Sequence, residues 1–334
     1  MTNILWFSEI NEEQVNKAGN KAFSLAQLYK LGLPVPQGFI ITAEAYKDFL
    51  QENRLDKQIF NILATADINN IKSLQLKSKE IQEIIFNSEI SNDLKDEIFE
   101  AYDNLNVDPE LINLHKSALS LIKVGRDLPF IALRASIILE LPLKELSEQE
   151  TYLNVKGNAS LLNTLKKCWA SLFTTRAIYF HEKNNIPHDK VAISVIIQRM
   201  INSDKSGFLF TLDPITNENE IIIQAAHGYS ELITTSNVKP NNYILDKETL
   251  IIKDKRVNKQ DYFLTRNEYG SNIKVNIPEE KRELQVLNDE EIIKLANYSK
   301  KIEQNYNHAL EIEFAIESGK IYILQAKLLN KENI

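Results

Sequence analysis

The chain of 334 residues contains one cysteine, Cys168, which excludes an internal disulfide, and no Cys/His cluster has zinc-finger spacing. It has no basic block and no Lys/Arg stripe interleaved with aromatics. With 39 basic against 46 acidic residues the net charge is −7, so nucleic acid is not an expected partner. Long apolar runs are missing too. The opening "MTNILWFSEINEE" lacks the basic start of a signal peptide, and "VAISVII" is too short to span a bilayer. A soluble, cytoplasmic protein with no membrane partner is expected. Internal repeats, low-complexity tracts and Pro/Gly-rich linkers are also lacking.

What is present falls into textures. Residues 51–127 repeat apolar positions at three- and four-residue spacing, as in "IKSLQLKSKEIQEIIF", and read as helices with solvated charged faces. "FIALRAS" reads as a strand, followed by an irregular polar stretch to Thr151. An amphipathic helix is expected from about Ala159 to Asn184, with Cys168 a buried small residue on it. Then come strands ("VAISVIIQRM", "SGFLFT", "NEIIIQAA", "NYILD"), a helix from Asp289 to about Asn305, and a hairpin, "LEIEFAI" and "KIYILQA". The expectation is an α+β protein in two lobes, residues 1–190 (with 51–127 a helical sub-region) and 191–334, with a cleft between them.

Three places could carry chemistry. In "AGNKAFSLAQLYKLGLPVPQGFIIT", Gly32 suits a helix C-cap and Pro34 and Pro36 an extended exit. Lys21 then lies in a first turn, where free N–H groups favour an anion, although from these residues alone a plain surface lysine is the simpler reading. Arg134, taken as the end of the "FIALR" strand, is either a phosphate clamp or a solvent-facing terminus. In the hairpin, Glu311 and Glu313 share one strand face. A three-residue loop, Glu317 to Gly319, sets Glu311 opposite Gln325 with Glu313 diagonal, a hard-oxygen set suited to Mg²⁺. A two-residue loop sets Gln325 on the wrong face, and an ordinary polar hairpin face stays open. Of the histidines, His181, His188 and His308 read as surface residues and His115 as helical. Only His227, in "QAAHGYSE", has a position suited to a ligand.

Taken in order, "AGNKAFSLAQLYKLGLPVPQGFIITAEAYKDFL", "ALRAS", "QETYLNV", "CWASLFTTRAIYF", "VIIQRMINSDKSGFLFTLDPIT", "HGYSELI", "KPNNYILD" and "LEIEFAIESGKIYILQA" resemble the ATP-binding domain of the phosphoenolpyruvate synthase, pyruvate phosphate dikinase and rifampicin phosphotransferase family. The resemblance covers nearly everything outside 51–127. It implies an ATP-grasp-like fold with ATP and Mg²⁺ in a cleft between a helical N-terminal lobe and a strand-rich C-terminal lobe. Lys21 and Arg134 match phosphate-contacting, catalytic positions. Gln198, Arg199, Met200 and Ile201 match the strand against which adenine packs, largely through backbone atoms. Glu231, Glu311, Glu313, Gln325 and Lys327 match nucleotide-site positions, and Glu313, Gln325 and Glu311 match the metal side.

The departures are local. "KELSEQET" (Lys144 to Thr151) has Ser147 where glycine is expected, with Glu145 and Glu148 beside it. Ser230 replaces another usual glycine, Lys327 a usual arginine, and Glu311 a usual Asp. No histidine has the context of the family's phosphohistidine carrier. The resemblance therefore implies a stand-alone ATP-dependent phosphotransferase domain serving a histidine carrier on another chain, or a small molecule. Alternatives are a degenerate, non-catalytic nucleotide-binding sensor or assembly subunit, or a piece of a longer enzyme.

Overall fold

The computed structural model describes residues 2–105, 107, 127–139 and 150–329. The chain divides into two compact units, one from Met1–Ala26 and Gln37–Met200, the other from Gln27–Pro36 and Ile201–Ile334. Both combine helices with wholly antiparallel sheets, an α+β architecture.

The first unit is built on a five-stranded sheet in the order β1-β2-β5-β3-β4: β1 Ile4–Trp6, β2 Gly38–Ile41, β3 Ile131–Leu139, β4 Thr151–Val155 and β5 Val191–Arg199. Strand alternation splits it into two unlike faces. Phe39, Ile41, Ile131, Leu133, Ala135, Ile193, Val195 and Ile197 form one face, buried in the main core. Helices supply the rest of that core: α3 Ala43–Glu52, α4 Leu55–Leu63, α5 Ile71–Asn87, α6 Asn92–Asn104, α7 Asn158–Ala170 and α8 Thr175–Lys183. Trp169 of α7 is fully buried, its ring 4.6 Å from that of Phe49. The opposite sheet face carries Arg134, Ser136, Ser194 and Gln198, with Ser136 directly across from Ser194 and Ala132 across from Gln198.

Caps decide where these helices start. Thr42 accepts from Ala45 N at 3.4 Å, and Asn70 accepts from Ser73 N at 3.1 Å. The single helix expected from Ala159 to Asn184 is two. A 3-10 turn, Ser171–Phe173, ends the first, and Thr174 opens the second by accepting from Ala177 N at 3.2 Å. Cys168 is buried in α7, as expected. Of the helical sub-region 51–127, the segment 106 and 108–126 lies outside the described residues.

The second unit holds a six-stranded sheet in the order β13-β12-β6-β7-β8-β9. Its strands are β6 Lys205–Phe210, β7 Glu220–His227, β8 Asn241–Asp246, β9 Ile252–Arg256, β12 Leu310–Glu317 and β13 Lys320–Leu328. A separate ribbon pairs β10 Tyr262–Arg266 with β11 Asn272–Asn276. A four-residue helix, α9 Glu231–Thr234, follows β7. The long helix α10, Asp289–Tyr306, starts at an Asn288/Glu291 capping box with three acids in its first turn, and stops at left-handed Asn307. Lys205 pairs with Glu291 at 2.8 Å near its start, and Glu303 accepts from Thr211 and Lys247, both at 2.8 Å, near its end. Among the described residues, no helix is long and apolar enough to cross a membrane.

Candidate functional site

In the first unit the site begins with a break between two helices. Helix α1, Val15–Ala18, ends at Gly19, and α2, Asn20–Lys30, begins at once. Gly19 has φ 80° and ψ 162°, a conformation open in practice to glycine alone. A Cβ there would lie 2.3 Å from Ser136 Oγ of β3. Ser194 of β5 donates its hydroxyl to Ala18 O. The α1–α2 turn is thereby seated on the polar face of the sheet. Lys21, half-buried, lies in the first turn of α2, where backbone N–H groups lack intrahelical acceptors.

Arg134 lies on that face too, two residues from Ser136 and opposite Ile196 and Thr151. It is not at a strand end: β3 continues to Leu139, because β-branched Ile137 and Ile138 extend the strand past Ser136. A half-buried arginine in mid-strand is a costlier placement than a solvent-facing terminus. Gln198 is buried, facing Ala132 and Gly38. Arg199 N donates to Gln37 O at 2.9 Å and Met200 N to Phe130 O at 2.8 Å, so both amides are engaged by neighbouring segments. Ile201 belongs to the second unit, packed with Ala315 and Tyr322.

In the second unit the hairpin resolves the loop question by a route neither alternative contained. The turn is the two residues Ser318-Gly319, both at positive φ (50° and 74°), so β12 and β13 pair from Glu317 and Lys320. A bulge then intervenes. Phe314 pairs with Ile323 but Glu313 with Gln325, leaving Leu324 as the extra residue. The one-residue shift returns Gln325 to the Glu313 face. Gln325 is thus opposite Glu313, not Glu311 as the three-residue loop required. Glu311 instead faces Lys327 and pairs with it at 2.9 Å.

Ser230 donates its hydroxyl to Glu313 Oε1 at 2.9 Å. Glu231 opens α9 with an exposed side chain, and its carbonyl accepts the hydroxyls of Thr234 and Thr235. Among the described residues, no three His, Cys, Asp or Glu side chains are grouped to hold a metal. The metal-side set from the sequence has two carboxylates and an amide. Glu313 with Gln325 fits a hard cation that takes its remaining ligands from phosphate or water. Glu311 fits less well, since Lys327 neutralises it. Glu145, Ser147 and Glu148 lie outside the described residues.

Of the three histidines read as surface residues, His181 and His188 depart from that reading and His308 does not. His181 is buried, its Nδ1 3.3 Å from His188 Nδ1, while His188 Nε2 lies 3.2 Å from Glu182 Oε1. Burial, then the neighbouring His188, pushes His181 down to about 4. Burial also lowers His188, opposed by Glu182. His227 is half-buried and lowered by burial and by Lys205, and its backbone is bracketed by Gln260. His308 is exposed, and His115 lies outside the described residues.

Sequence reasoning passed over Ser136 and Ser194. The usable signal was a hydroxyl inside each of two apolar strands, which is costly unless paired.

The family described as pyruvate phosphate dikinase, AMP/ATP-binding domain, matches residues 15–333. A probable phosphoenolpyruvate synthase of Methanocaldococcus jannaschii is 37% identical over 328 residues, 97% of this chain and 26% of that protein. Its counterpart in Methanothermobacter thermautotrophicus is 34% identical over 327 residues, 97% of this chain and 45% of that protein. The chain thus spans between about a quarter and about half the length of these curated relatives. The crystal structure of a D-alanine–D-alanine ligase from Helicobacter pylori aligns over 65% of this chain and 48% of that one at 12% identity. The TM-score of that alignment is 0.27. The chain belongs to the pyruvate phosphate dikinase AMP/ATP-binding domain family.

Proposed function

We propose that this chain binds ATP with Mg²⁺ and takes part in moving a phosphoryl group from it. The observation that carries the reading is the bulge at Leu324, which sets the Gln325 amide opposite the Glu313 carboxylate. An ordinary polar hairpin face needs no such correction of register. On this reading Lys21 and Arg134 neutralise phosphate charge, with Lys21 aided by the N-terminus of α2. Gln198 to Ile201 and Glu231 serve the nucleoside side, Lys327 adds a cation, and Glu313 with Gln325 would hold the metal. Mg²⁺, when bound, supplies charge neutralisation on phosphate oxygens. The protein's own part is positioning and electrostatic preorganisation.

An ATP-grasp-like architecture with a nucleotide cleft, and a cytoplasmic location, belong to the same proposal. The acceptor is a histidine carrier, on another chain or in a longer polypeptide, or a small molecule. Calorimetry with ATP, with and without Mg²⁺, tests the binding. We expect Mg²⁺-dependent affinity, weakened at least about tenfold by Lys21→Met, the equivalent of losing one charge-assisted contact. No binding by the wild-type chain sinks the reading. The Lys327–Glu311 pair favours a second reading, a nucleotide-binding sensor whose charges are internally satisfied. Tight binding with neither AMP nor ADP formed in the presence of a carrier domain would select it.

A further inference from the structure

The turn after β7 is pinned from several sides. Gly228 N donates to Asp204 O at 2.9 Å, and Gly228 O accepts from Ser203 Oγ at 3.1 Å and Ser206 Oγ at 2.6 Å. Gly228 has φ +75°, and a Cβ there would lie 2.3 Å from Leu264 O. The next residue, Tyr229, donates its N–H to Leu264 O at 3.1 Å and its phenol to Asn202 Oδ1 at 3.0 Å. Ser230 therefore stands on a backbone with little freedom left.

Its side chain then does something unusual for its place. Ser230 is the N-cap residue of α9, where a serine hydroxyl ordinarily accepts from its own helix, yet it makes no capping bond. The hydroxyl donates instead to Glu313 Oε1, 2.9 Å away across the sheet unit. Glu311, by contrast, is held by Lys327, whose side chain is 55% exposed and therefore loosely fixed.

We propose that Ser230 is a positioning residue, which fixes the Glu313 carboxylate in the orientation in which it receives a divalent cation. This rests on the reading of Glu313 as a metal-side acid. A carboxylate held by a hydroxyl on a rigid turn loses little freedom when the cation arrives. One without that hydroxyl has more freedom to lose on binding the cation. Outer contacts of this kind typically change metal affinity about 10- to 100-fold.

The test uses the full chain at saturating ATP with Mn²⁺ as probe, following free Mn²⁺ by electron paramagnetic resonance. Ser230→Ala should raise the half-saturating Mn²⁺ concentration about tenfold or more. Ser230→Thr, which keeps the hydroxyl, should restore it. Metal-free ATP affinity and melting temperature should not change in Ser230→Ala, which sets misfolding aside. In a Glu313→Gln background, Ser230→Ala should add nothing. An unchanged Mn²⁺ half-saturation in Ser230→Ala overturns the inference, as does an effect that persists without Glu313. Wild-type chain that binds ATP with no Mn²⁺ dependence also overturns it, leaving the nucleotide reading intact. Failure to bind ATP overturns both.

Discussion

In the first unit the turn before Lys21 is gripped by its own main chain. A glycine in a conformation closed to other residues lies against Ser136, and Ser194 grips a carbonyl. In the second unit the corresponding work is done by side chains, with a hydroxyl on Glu313 and an ammonium on Glu311. Main-chain placement is rigid but intolerant, because a substitution there disturbs the fold itself. Side-chain placement can be removed with the scaffold left standing, so its loss should read out in binding before stability.

Acid provides the largest expected separation between the units. Buried His181 and half-buried His188, flanked by Glu182 and Asp189, lie in the first unit. Folded His181 takes up a proton only near pH 4, whereas an unfolded histidine does so near 6.5. Between those values the unfolded chain binds more protons, so stability is full above about pH 6.5 and falls as pH drops toward 4, by on the order of 3 kcal/mol. Both tryptophans, Trp6 and Trp169, lie in the first unit, so their fluorescence reports it alone. The fluorescence transition should precede loss of hydrogen-exchange protection in β6–β8, and His181→Asn should flatten its pH dependence. Coincident transitions would erase the comparison.

Next in size is a pair of glycines. Gly19 and Gly157 share nearly the same backbone angles, φ 80° and 86°, ψ 162° and 152°, but only Gly19 would have its Cβ in contact. Alanine should cost about 1–3 kcal/mol of strain at either position. Crowding against Ser136 should add roughly 1–3 kcal/mol at Gly19 alone. Urea denaturation of both variants decides it, and equal losses would mean that Gly19 is not seated on β3 as described.

The smallest effect should come from Glu311→Gln. Its partner Lys327 is 55% exposed, so melting should register less than about 1 kcal/mol, and less again at high salt. A larger, salt-insensitive loss would place the hairpin with the rigid class.

Much of the second sheet was legible because its strands are short apolar runs, β8 alternating throughout, and its turn is marked by Ser318-Gly319. Polar β9 "IKDKR" was not, since its pairing with β8 rather than its composition makes it a strand. The faces of Glu311 and Glu313 followed from period two, but their partners did not. A bulge is a property of two strands in register, and nothing in "YILQAK" alone announces that Leu324 is the extra residue. Arg134 was placed at a terminus because the text after it looked irregular, whereas Ile137 and Ile138 carry the strand onward. His181 was misplaced because histidine suggests surface. Its spacing after Ala177 and Ile178 marks the buried stripe of α8. The breaks at Gly19 and Thr174 were written in residue types and could have been read as a strained turn and an N-cap.

The short excursion of Gln27–Pro36 into the second unit bears on the order in which the chain can fold during synthesis. Ile323 N donates to Pro34 O at 2.9 Å, so β13 must find a loop that is made before every other strand of its own unit. Such a contact closes only after the whole intervening segment exists, at the entropic cost of a very long loop. No single cut frees either unit whole, and a chain halted before Ile323 leaves the loop around Pro34 waiting for its partner.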